Sequence, residues 1–343
     1  MKNKITFFLF FIFIWGCSDD RLKPLEKETA VEVEIPETGS ETEGEPEPEP
    51  EEIDFKNNTE ASNLFLAQPA KIPVNIDNSM PFVSVNGTQV YVEVEKFVKK
   101  KDNSPVSFPV NIELIELFSP GDIILNGKPT VSNGKLLKTG GEIFIRITKD
   151  GDEVILKDDH YLRIKIPTKK PDNQMRLFTG EEDVEGNLNW EEEPQWITYE
   201  CNSDKRQPGI DSNCFNTERV SLTVNDNNYE FFTGDLGWIN CDRFLNDESP
   251  LTTISFEAKN APLNAILLYL YFPDINSIIA VKNGVSLEVP IGQNYTYVAY
   301  AVSSNDLVYA EWKEGLTVAK NQKIELNLVE TTPEALLDFL DGL

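Results

Sequence analysis

The stretch IFIRITKDGDEVIL occupies residues 143–156 and contains two short apolar runs around a turn signal. In the first run, isoleucine recurs at every second position, which is the period of a β-strand with one buried face. The Asp150-Gly151 pair between the runs is typical of a two-residue hairpin loop, because both loop positions need a positive φ. The stretch therefore predicts two adjacent antiparallel strands.

The same period recurs in much of the chain after residue 56. It is seen in Val110–Leu114, Tyr161–Ile166, Thr253–Glu257 and Tyr295–Val302. The apolar run Ile266–Phe272 predicts a buried strand, with a helix as the alternative, because periodicity does not separate the two. Short strands at this spacing are typical of β-sandwiches. We therefore predict a mostly β protein with tandem β-sandwich-like domains.

One short helix is predicted at the C-terminal end. Thr332 suits the N-cap, Pro333 the first helical position and Glu334 the positive end of the helix dipole. Apolar residues between 336 and 340 give the helix one apolar face. We expect this face to pack on the last domain and not on a membrane, because the helix lacks a basic polar face.

The composition excludes several classes of function. The chain has 343 residues, with 58 acidic and 31 basic side chains and a net charge of −27. We expect no nucleic-acid partner, because phosphate binding needs clustered Lys and Arg. The single histidine, His160, excludes a zinc site with two or more His, and we expect it to be an exposed loop residue. We predict no metal and no cofactor.

The N-terminal residues have the form of an export signal. Lys2 and Lys4 precede the apolar run Ile5–Trp15, which is shorter than the roughly 20 residues that span a bilayer. The run ends at Gly16-Cys17 and is followed by the acidic segment Ser18–Asp20. This order of basic, apolar and small residues predicts a secreted protein.

The segment Ile14–Cys17 resembles the bacterial lipobox. The resemblance implies a lipoprotein signal peptide over residues 1–16, cleavage before Cys17 and acylation of that cysteine. Two or three acyl chains would anchor the protein stably in a membrane. The acidic residues after Cys17 are similar to the export signal of Bacteroidota lipoproteins. That resemblance implies a location in the outer membrane, with the folded part exposed at the cell surface.

Residues 17–56 hold the lipidated cysteine and a predicted disordered tether. Ser18 to Lys56 contain 15 acidic and four basic residues, and Glu alternates with Pro over residues 45–50. Proline fixes φ and like charges repel, so we expect an extended chain. At about 3.1 Å per residue, it would reach up to roughly 120 Å from the lipid.

The rest of the chain is divided by changes in composition. Strand patterns weaken near Pro171, where irregular, aromatic-rich sequence begins, and return at Pro250. The predicted parts are a β domain over 57–170, a Cys- and Trp-containing β-rich irregular region over 171–249, and a β-sandwich-like domain with the terminal helix over 250–343.

Parts of the folded region resemble uncharacterised envelope proteins of Bacteroidota. The resemblance rests on Leu114–Leu117, Val131–Gly141, Met175–Phe178 and Leu236–Phe244. It implies an exported location and a similar fold, and it implies no activity.

Three cysteines remain in the mature chain. Cys201 and Cys214 enclose a polar segment and are a candidate disulfide, which in a loop of this length contributes roughly 3 kcal/mol. Cys241 is the alternative partner for either one. Because Cys241 stands between Trp238 and Phe244, we favour a buried, unreactive thiol.

The middle region also contains candidate binding residues. Trp190, Trp196, Tyr199 and Trp238 are a candidate ligand platform, because aromatic rings supply large contact surfaces. Core packing is the alternative, which we favour.

Acidic residues suggest two further kinds of site. Glu181–Asp183 and Glu191–Glu193 flank Trp190, and paired carboxylates beside an aromatic ring suit glycoside hydrolysis. Asp150-Gly151-Asp152 and Asn225–Asn228 offer oxygen ligands for calcium. Neither fits the EF-hand pattern, so we interpret both as turns.

The leading hypothesis is a lipid-anchored, non-enzymatic binding or structural accessory module at the cell surface, with a glycan or a surface protein as partner. No catalytic residues are assigned. The alternatives are a carboxylate-dependent glycan hydrolase and a periplasm-facing assembly or scaffold lipoprotein.

Overall fold

The computed structural model describes residues 53–67, 69–74, 81–184, 187–193, 196–201, 214–219 and 222–343. This part of the chain is mostly β, with several sheets and a short C-terminal helix, which confirms the predicted fold class. The signal peptide, Cys17 and the tether up to residue 52 lie outside the described residues, so the predictions about them stay predictions.

The strands before residue 245 are β1 (Ala70–Val74), β2 (Phe82–Val83), β3 (Gln89–Tyr91), β4 (Phe97–Lys99), β5 (Val110–Leu117), β6 (Val131–Ser132), β7 (Lys135–Lys149), β8 (Asp152–Leu156), β9 (Leu162–Pro167), β10 (Arg176–Glu182), β11 (Leu188–Glu192), β12 (Trp196–Cys201), β13 (Cys214–Arg219), β14 (Leu222–Val224), β15 (Asn228–Thr233) and β16 (Gly237–Phe244).

The strands after residue 250 are β17 (Leu251–Thr252), β18 (Ile254–Ala258), β19 (Leu267–Phe272), β20 (Ser277–Ala280), β21 (Val289–Pro290), β22 (Asn294–Val302), β23 (Val308–Thr317), β24 (Gln322–Leu326) and β25 (Val329–Thr331). The α-helices of the described residues are α1 (Asn58–Ser62), α2 (Pro120–Leu125) and α3 (Pro333–Asp341).

The hairpin predicted from residues 143–156 is confirmed. β7 pairs with β8 in antiparallel register, with Ile147 opposite Val154. Asp150 has φ of 53° and Gly151 has φ of 85°, so both loop residues adopt the left-handed conformation that this turn requires. The isoleucines at 143, 145 and 147 are all buried, as the two-residue period predicts.

The N-terminal module, which we define as residues 69–244, is built on two sheets. Nine described strands form the larger sheet, in the order β1-β5-β7-β16-β10-β11 with β4, β6 and β8 attached to it. The smaller sheet has the order β14-β15-β9-β3-β2. Ile112, Ile145, Ile164 and Phe231 belong to one buried cluster between these sheets, which supplies the core of the module.

The predicted boundary at residue 170 does not separate two folding units. β16 pairs with β7, and β15 pairs with β9, so strands from both sides of residue 170 alternate within the same sheets. The region 171–249 is therefore an integral part of the N-terminal module. Within this region β12 and β13 pair with each other as a separate two-stranded sheet.

The C-terminal module, which we define as residues 251–343, is centred on the sheet β20-β19-β22-β23-β25. One face of this sheet packs through Leu270 and Tyr297 toward the short pairs β17-β21 and β18-β24. The other face packs through Tyr271 and Tyr300 against helical residues that include Ile124 of α2. Because both faces are covered, β19 and β22 are almost continuously buried, and the run 266–272 is the predicted strand.

The terminal helix forms as predicted. The Thr332 hydroxyl accepts a hydrogen bond from the Ala335 amide at 3.1 Å, and Pro333 occupies the first helical turn. Leu336 and Leu340 are fully buried, and Phe339 stacks on Trp312 with ring centroids 4.7 Å apart. The apolar face therefore packs on the C-terminal module.

The tether was predicted to run to residue 56, which is wrong for its last residues. Phe55 forms a β-bridge with Ser303, and its ring lies 5.4 Å from the Tyr309 ring, edge to face. The Lys56 amide donates to the Val302 carbonyl at 2.8 Å. The apolar phenylalanine is stabilised by leaving water, so Phe55 and Lys56 belong to the folded part of the chain.

Candidate functional site

The two modules meet where the β19–β20 turn packs on the larger sheet of the N-terminal module. The Thr139 amide donates to the Asn276 carbonyl at 3.0 Å, and the Asn276 side chain donates back to the Thr139 carbonyl at 2.8 Å. The Thr130 amide donates to the Ile278 carbonyl at 2.8 Å. These hydrogen bonds join backbone groups of the two modules. We call this region the junction.

A cavity of about 370 Å³ opens beside the junction. Both modules line it, and most of the lining side chains are apolar, among them Val131 and Leu188 from one module and Ile266, Val281 and Leu287 from the other. Its volume lies at the lower end of the range for small-molecule sites. The cavity can therefore admit an apolar group of modest size.

A small number of polar groups stand at this cavity. Lys282 is the charged residue among the described lining residues, and its ammonium donates to the Asn187 side-chain oxygen at 2.9 Å. Among the described residues, no Asp or Glu lines the cavity. Apolar walls with a few placed polar groups are typical of sites that orient a ligand. The lining therefore suits a ligand with an apolar group next to an acceptor or an anion.

A second polar feature lies on β7 and β16 and includes Thr139, which bonds Asn276 at the junction. Glu142 stands opposite Asn240, and Asp242 stands opposite Thr139, with a β-bulge between the two pairs. Glu142, Asn240 and Asp242 are each 0% exposed. We call these four residues the buried acidic cluster.

The electrostatics of the buried acidic cluster are unusual. Burial raises the pKa of the Glu142 carboxyl well above its ordinary value, and the charge of Asp242 adds to this, while Lys128 opposes it. Burial also raises the pKa of the Asp242 carboxyl well above its ordinary value, against the lowering effect of hydrogen bonds from Thr139, the Gly140 amide and Asn240. Both shifts follow from removing a carboxylate from water.

The sequence did not point to this cluster. In β16, Ile239 and Cys241 face one core, and Asn240 and Asp242 alternate with them. Such alternation predicts a polar face toward solvent. One sequence feature could have indicated an irregular site here. The pair Gly140-Gly141 lies on the neighbouring strand, and glycine within a strand often marks a β-bulge.

The structure describes the side chains of two of the four residues of the candidate ligand platform, and they differ in exposure. Trp190 is fully buried, and its indole N–H donates to the Pro129 carbonyl at 3.0 Å, so it is a core residue and the platform prediction is wrong for it. Trp238 is half-buried, donates to Glu182 at 3.0 Å and lies 4.9 Å below the Lys128 ammonium. The side chains of Trp196 and Tyr199 lie outside the described residues.

The structure bears on one of the two cysteine predictions. Cys241 is fully buried, as predicted, and burial raises the pKa of its thiol well above the ordinary value. β12 pairs with β13 so that Cys201 is directly opposite Cys214. Their side chains are outside the described residues, so the disulfide stays a prediction.

The acidic segments around Trp190 point outward. Glu181, Glu182, Glu191 and Glu192 are exposed, whereas the Trp190 ring between the segments is buried. Burial raises the pKa of the Glu193 carboxyl, with a smaller contribution from the charge of Asp235. An exposed acid and a buried ring do not form the sugar-binding arrangement that the sequence suggested at this place.

The remaining candidates are turn residues. His160 is exposed, and its Nδ1 lies 2.8 Å from the Asp158 carbonyl. Asp152 is held by Lys99 and Lys101 at 2.8 and 2.7 Å. The Asn225 amide donates to the Asn228 carbonyl across the β14–β15 turn. Contacts within the protein therefore account for the acidic and amide side chains of both turns, as the turn interpretation predicted.

Comparison with known proteins gives no family. No protein-family model matches the chain, and no curated protein matches its sequence. Within the described residues, no helix is long and apolar enough to cross a bilayer. In the same part of the chain, no group of three or more His, Cys, Asp or Glu is arranged to hold a metal ion.

Proposed function

We propose that this chain is an outer-membrane lipoprotein, anchored through Cys17, whose folded part is a non-enzymatic binding or accessory module at the cell surface. The anchor and the tether are supported by the lipobox-like segment and the acidic, proline-rich sequence after it. The contacts of Phe55 with Ser303 and Tyr309 support a tether that ends before residue 55. A pull on the tether would then act on the C-terminal module directly.

The observation that carries the binding role is the cavity at the junction. Its apolar lining favours a protein partner over a glycan, because a buried sugar needs a polar partner for each hydroxyl. Lys282 adds a positive charge to an otherwise strongly acidic chain. We therefore infer a surface protein that inserts an apolar side chain next to an acidic group.

The glycan hydrolase alternative gains no support at this place. Two carboxyl groups roughly 5 to 10 Å apart across an open cleft are required for the usual mechanisms. In the described part of the chain the cavity has no acidic lining residue, and Glu142 and Asp242 are closed to solvent.

Location is tested by protease treatment of intact cells, with an antibody to residues 53–343. Wild-type signal should disappear from intact cells, and a Cys17→Ala chain should leave the membrane fraction. Protection of the wild-type chain until the outer membrane is broken would favour the periplasmic scaffold alternative.

Binding is tested by a photo-reactive phenylalanine analogue placed in the living cell. At Val285, which lines the cavity and is 48% exposed, we expect one discrete adduct, identified by mass spectrometry. Lys282→Glu should abolish it. The matched control is Val329 on β25, which is 59% exposed and does not line the cavity. Equal adducts at both positions would contradict a role for the cavity.

A further inference from the structure

Tyr269 brings a hydroxyl group to the wall of the cavity beside the junction. Tyr269 and Gly127 both line the cavity, and the Tyr269 hydroxyl lies 3.4 Å from the position that a Cβ on Gly127 would take. Tyr269 is 5% exposed, and no hydrogen bond joins its hydroxyl to another group of the described chain. Burial by itself raises the pKa of Tyr269 to about 12. A buried hydroxyl in this state is costly, which favours a polar ligand atom beside it.

The other polar groups near this hydroxyl have partners elsewhere or lie outside the cavity wall. The Asn58 amide nitrogen is taken up by backbone carbonyl groups of residues 264–266. The Lys282 ammonium is bonded to Asn187. The Tyr300 hydroxyl is fully buried and, within the described residues, has no hydrogen-bond partner, but Tyr300 does not belong to the described lining of the cavity. Tyr269 is therefore the hydroxyl that a ligand can reach.

The walls around Tyr269 suit an apolar group better than water. Ile266, Leu267 and Leu268 precede Tyr269 along the chain and also line the cavity. A buried water makes about three hydrogen bonds to protein groups, and aliphatic side chains offer none. A ligand with an apolar body and one polar atom at its end gains both from the walls and from the hydroxyl.

Exposure distinguishes the two ends of the cavity. Lys282 and Val285 line it and are exposed, and we call them the mouth. Ile266, Leu268 and Tyr269 line it and are at most 5% exposed, and we call them the floor. A side chain that enters at the mouth therefore places its far end at the floor.

Among protein side chains, tyrosine has the form that this arrangement requires. Its ring is a flat apolar body, and its hydroxyl lies at the far end, where it both donates and accepts. Tryptophan carries its N–H at the side of the ring and only donates. A lysine would bury a charge among apolar walls and bring it toward Lys282.

We propose that the cavity accepts a tyrosine side chain of the surface protein, with the phenol hydroxyl bonded to Tyr269 and an adjacent Asp or Glu paired with Lys282. The inference rests on the proposed function, because it names the side chain that the partner inserts. Tyr269 selects the hydroxyl, Lys282 selects the acidic neighbour, and the walls contact the ring.

The test compares p-cresol and toluene, which reproduce the side chains of tyrosine and phenylalanine and differ by one hydroxyl. Dissociation constants are measured by NMR titration of the full-length chain with Cys17→Ala, without detergent that could fill the cavity. The ratio of the toluene constant to the p-cresol constant should fall about 3- to 10-fold when Tyr269→Phe is added. Comparing this ratio between variants cancels the difference in hydrophobicity between the two probes.

Tyr300→Phe is the matched control, because it removes a buried hydroxyl that is likewise unbonded within the described residues but lies outside the described lining. It should keep the ratio of the unmutated cavity, and so should Lys282→Glu, since neither probe is charged. No binding of either probe, an unchanged ratio in Tyr269→Phe, or an equal fall in Tyr300→Phe would overturn the proposal.

A crystal of the chain with an unmutated cavity, soaked in p-cresol, covers a Tyr269→Phe variant that fails to fold. The phenol oxygen should lie within hydrogen-bond distance of the Tyr269 hydroxyl. A phenol oxygen turned toward Lys282, or a water kept on the Tyr269 hydroxyl, contradicts the proposal.

The cell experiment separates this inference from the proposed function. The peptide cross-linked at Val285 should contain a tyrosine next to Asp or Glu. An adduct at Val285 without a preference for p-cresol keeps the binding role and overturns tyrosine as the inserted side chain. A preference for p-cresol without an adduct refutes the surface partner and leaves the selectivity of the cavity standing.

Discussion

At the residue scale, one aspartate shows how charge organises the edge of the N-terminal module. Asp172 precedes β10 and accepts hydrogen bonds from Lys138 on β7 at 3.0 Å and from Arg243 on β16 at 2.9 Å. The Gln174 amide donates to its other oxygen at 3.0 Å. One carboxylate therefore ties a loop to two strands of the larger sheet.

These contacts make a prediction about pH. Partial burial of Asp172 would raise the pKa of its carboxyl, but the Gln174 amide, Arg243 and Lys138 outweigh it and lower the pKa to about 2. Since the unfolded pKa is about 3.9, the stabilisation is present above that pH and is lost as the pH falls toward 2.

We expect Asp172→Asn to lower the free energy of unfolding at pH 7 by about 1 kcal/mol, allowing for screening of a partly exposed pair. The measurement is urea unfolding at pH 7 and at pH 2 to 3, where the two curves should converge. Asp226→Asn, on an exposed turn, is the control and should change little. A constant difference at all pH values would contradict the ion-pair explanation.

At the element scale, two helices link the modules. α2 begins with a capping box in which the Ser119 hydroxyl accepts from the Asp122 amide and the Asp122 carboxylate accepts from the Ser119 amide, both at 3.1 Å. Gly121, in the first turn of α2, lies so close to α3 that an added Cβ would be 2.5 Å from the Leu340 carbonyl oxygen. The contact requires a glycine because a backbone atom stands there.

We therefore expect Gly121→Ala to separate α3 from α2 and to destabilise the fold by about 1 to 3 kcal/mol. Hydrogen exchange in residues 333–341 should become faster. Gly234→Ala is the matched control, because the nearest atoms to its Cβ would be 3.6 Å away on the Tyr161 ring. Unchanged exchange in α3 would show that the helix is held by its other contacts alone.

At the scale of the whole molecule, residues 52–343 form one compact unit. In the sheets of the N-terminal module, strands that are distant along the chain lie side by side. Hydrogen bonds at the junction join this module to the C-terminal module. The stability of each sheet therefore depends on segments that are distant along the chain.

The expected result is that a fragment of residues 57–170 does not fold alone, while residues 53–343 do. The short fragment lacks β15 and β16, so β9 and β7 each lose a pairing strand, and the core loses Tyr229 and Phe231. Circular dichroism and limited proteolysis would compare the two fragments. A protease-resistant, cooperatively unfolding 57–170 fragment would restore the predicted domain boundary.

The sequence alone determined the local structure. The Asp150-Gly151 turn, the buried alternation of β7 and the caps of α3 follow from backbone preferences and from the period of the apolar residues, which depend on near neighbours only. The export signal and the tether are also local patterns, and their roles stay predictions.

Only the tertiary structure decided which segments share a sheet and which polar faces are covered. Glu142, Asn240 and Asp242 alternate with apolar residues and predict a solvent-facing edge, yet all three are fully buried in the folded chain. Trp190 stands among acids in sequence but inside the core in space. Burial depends on what packs against a face from far along the chain, and periodicity carries no information about that partner.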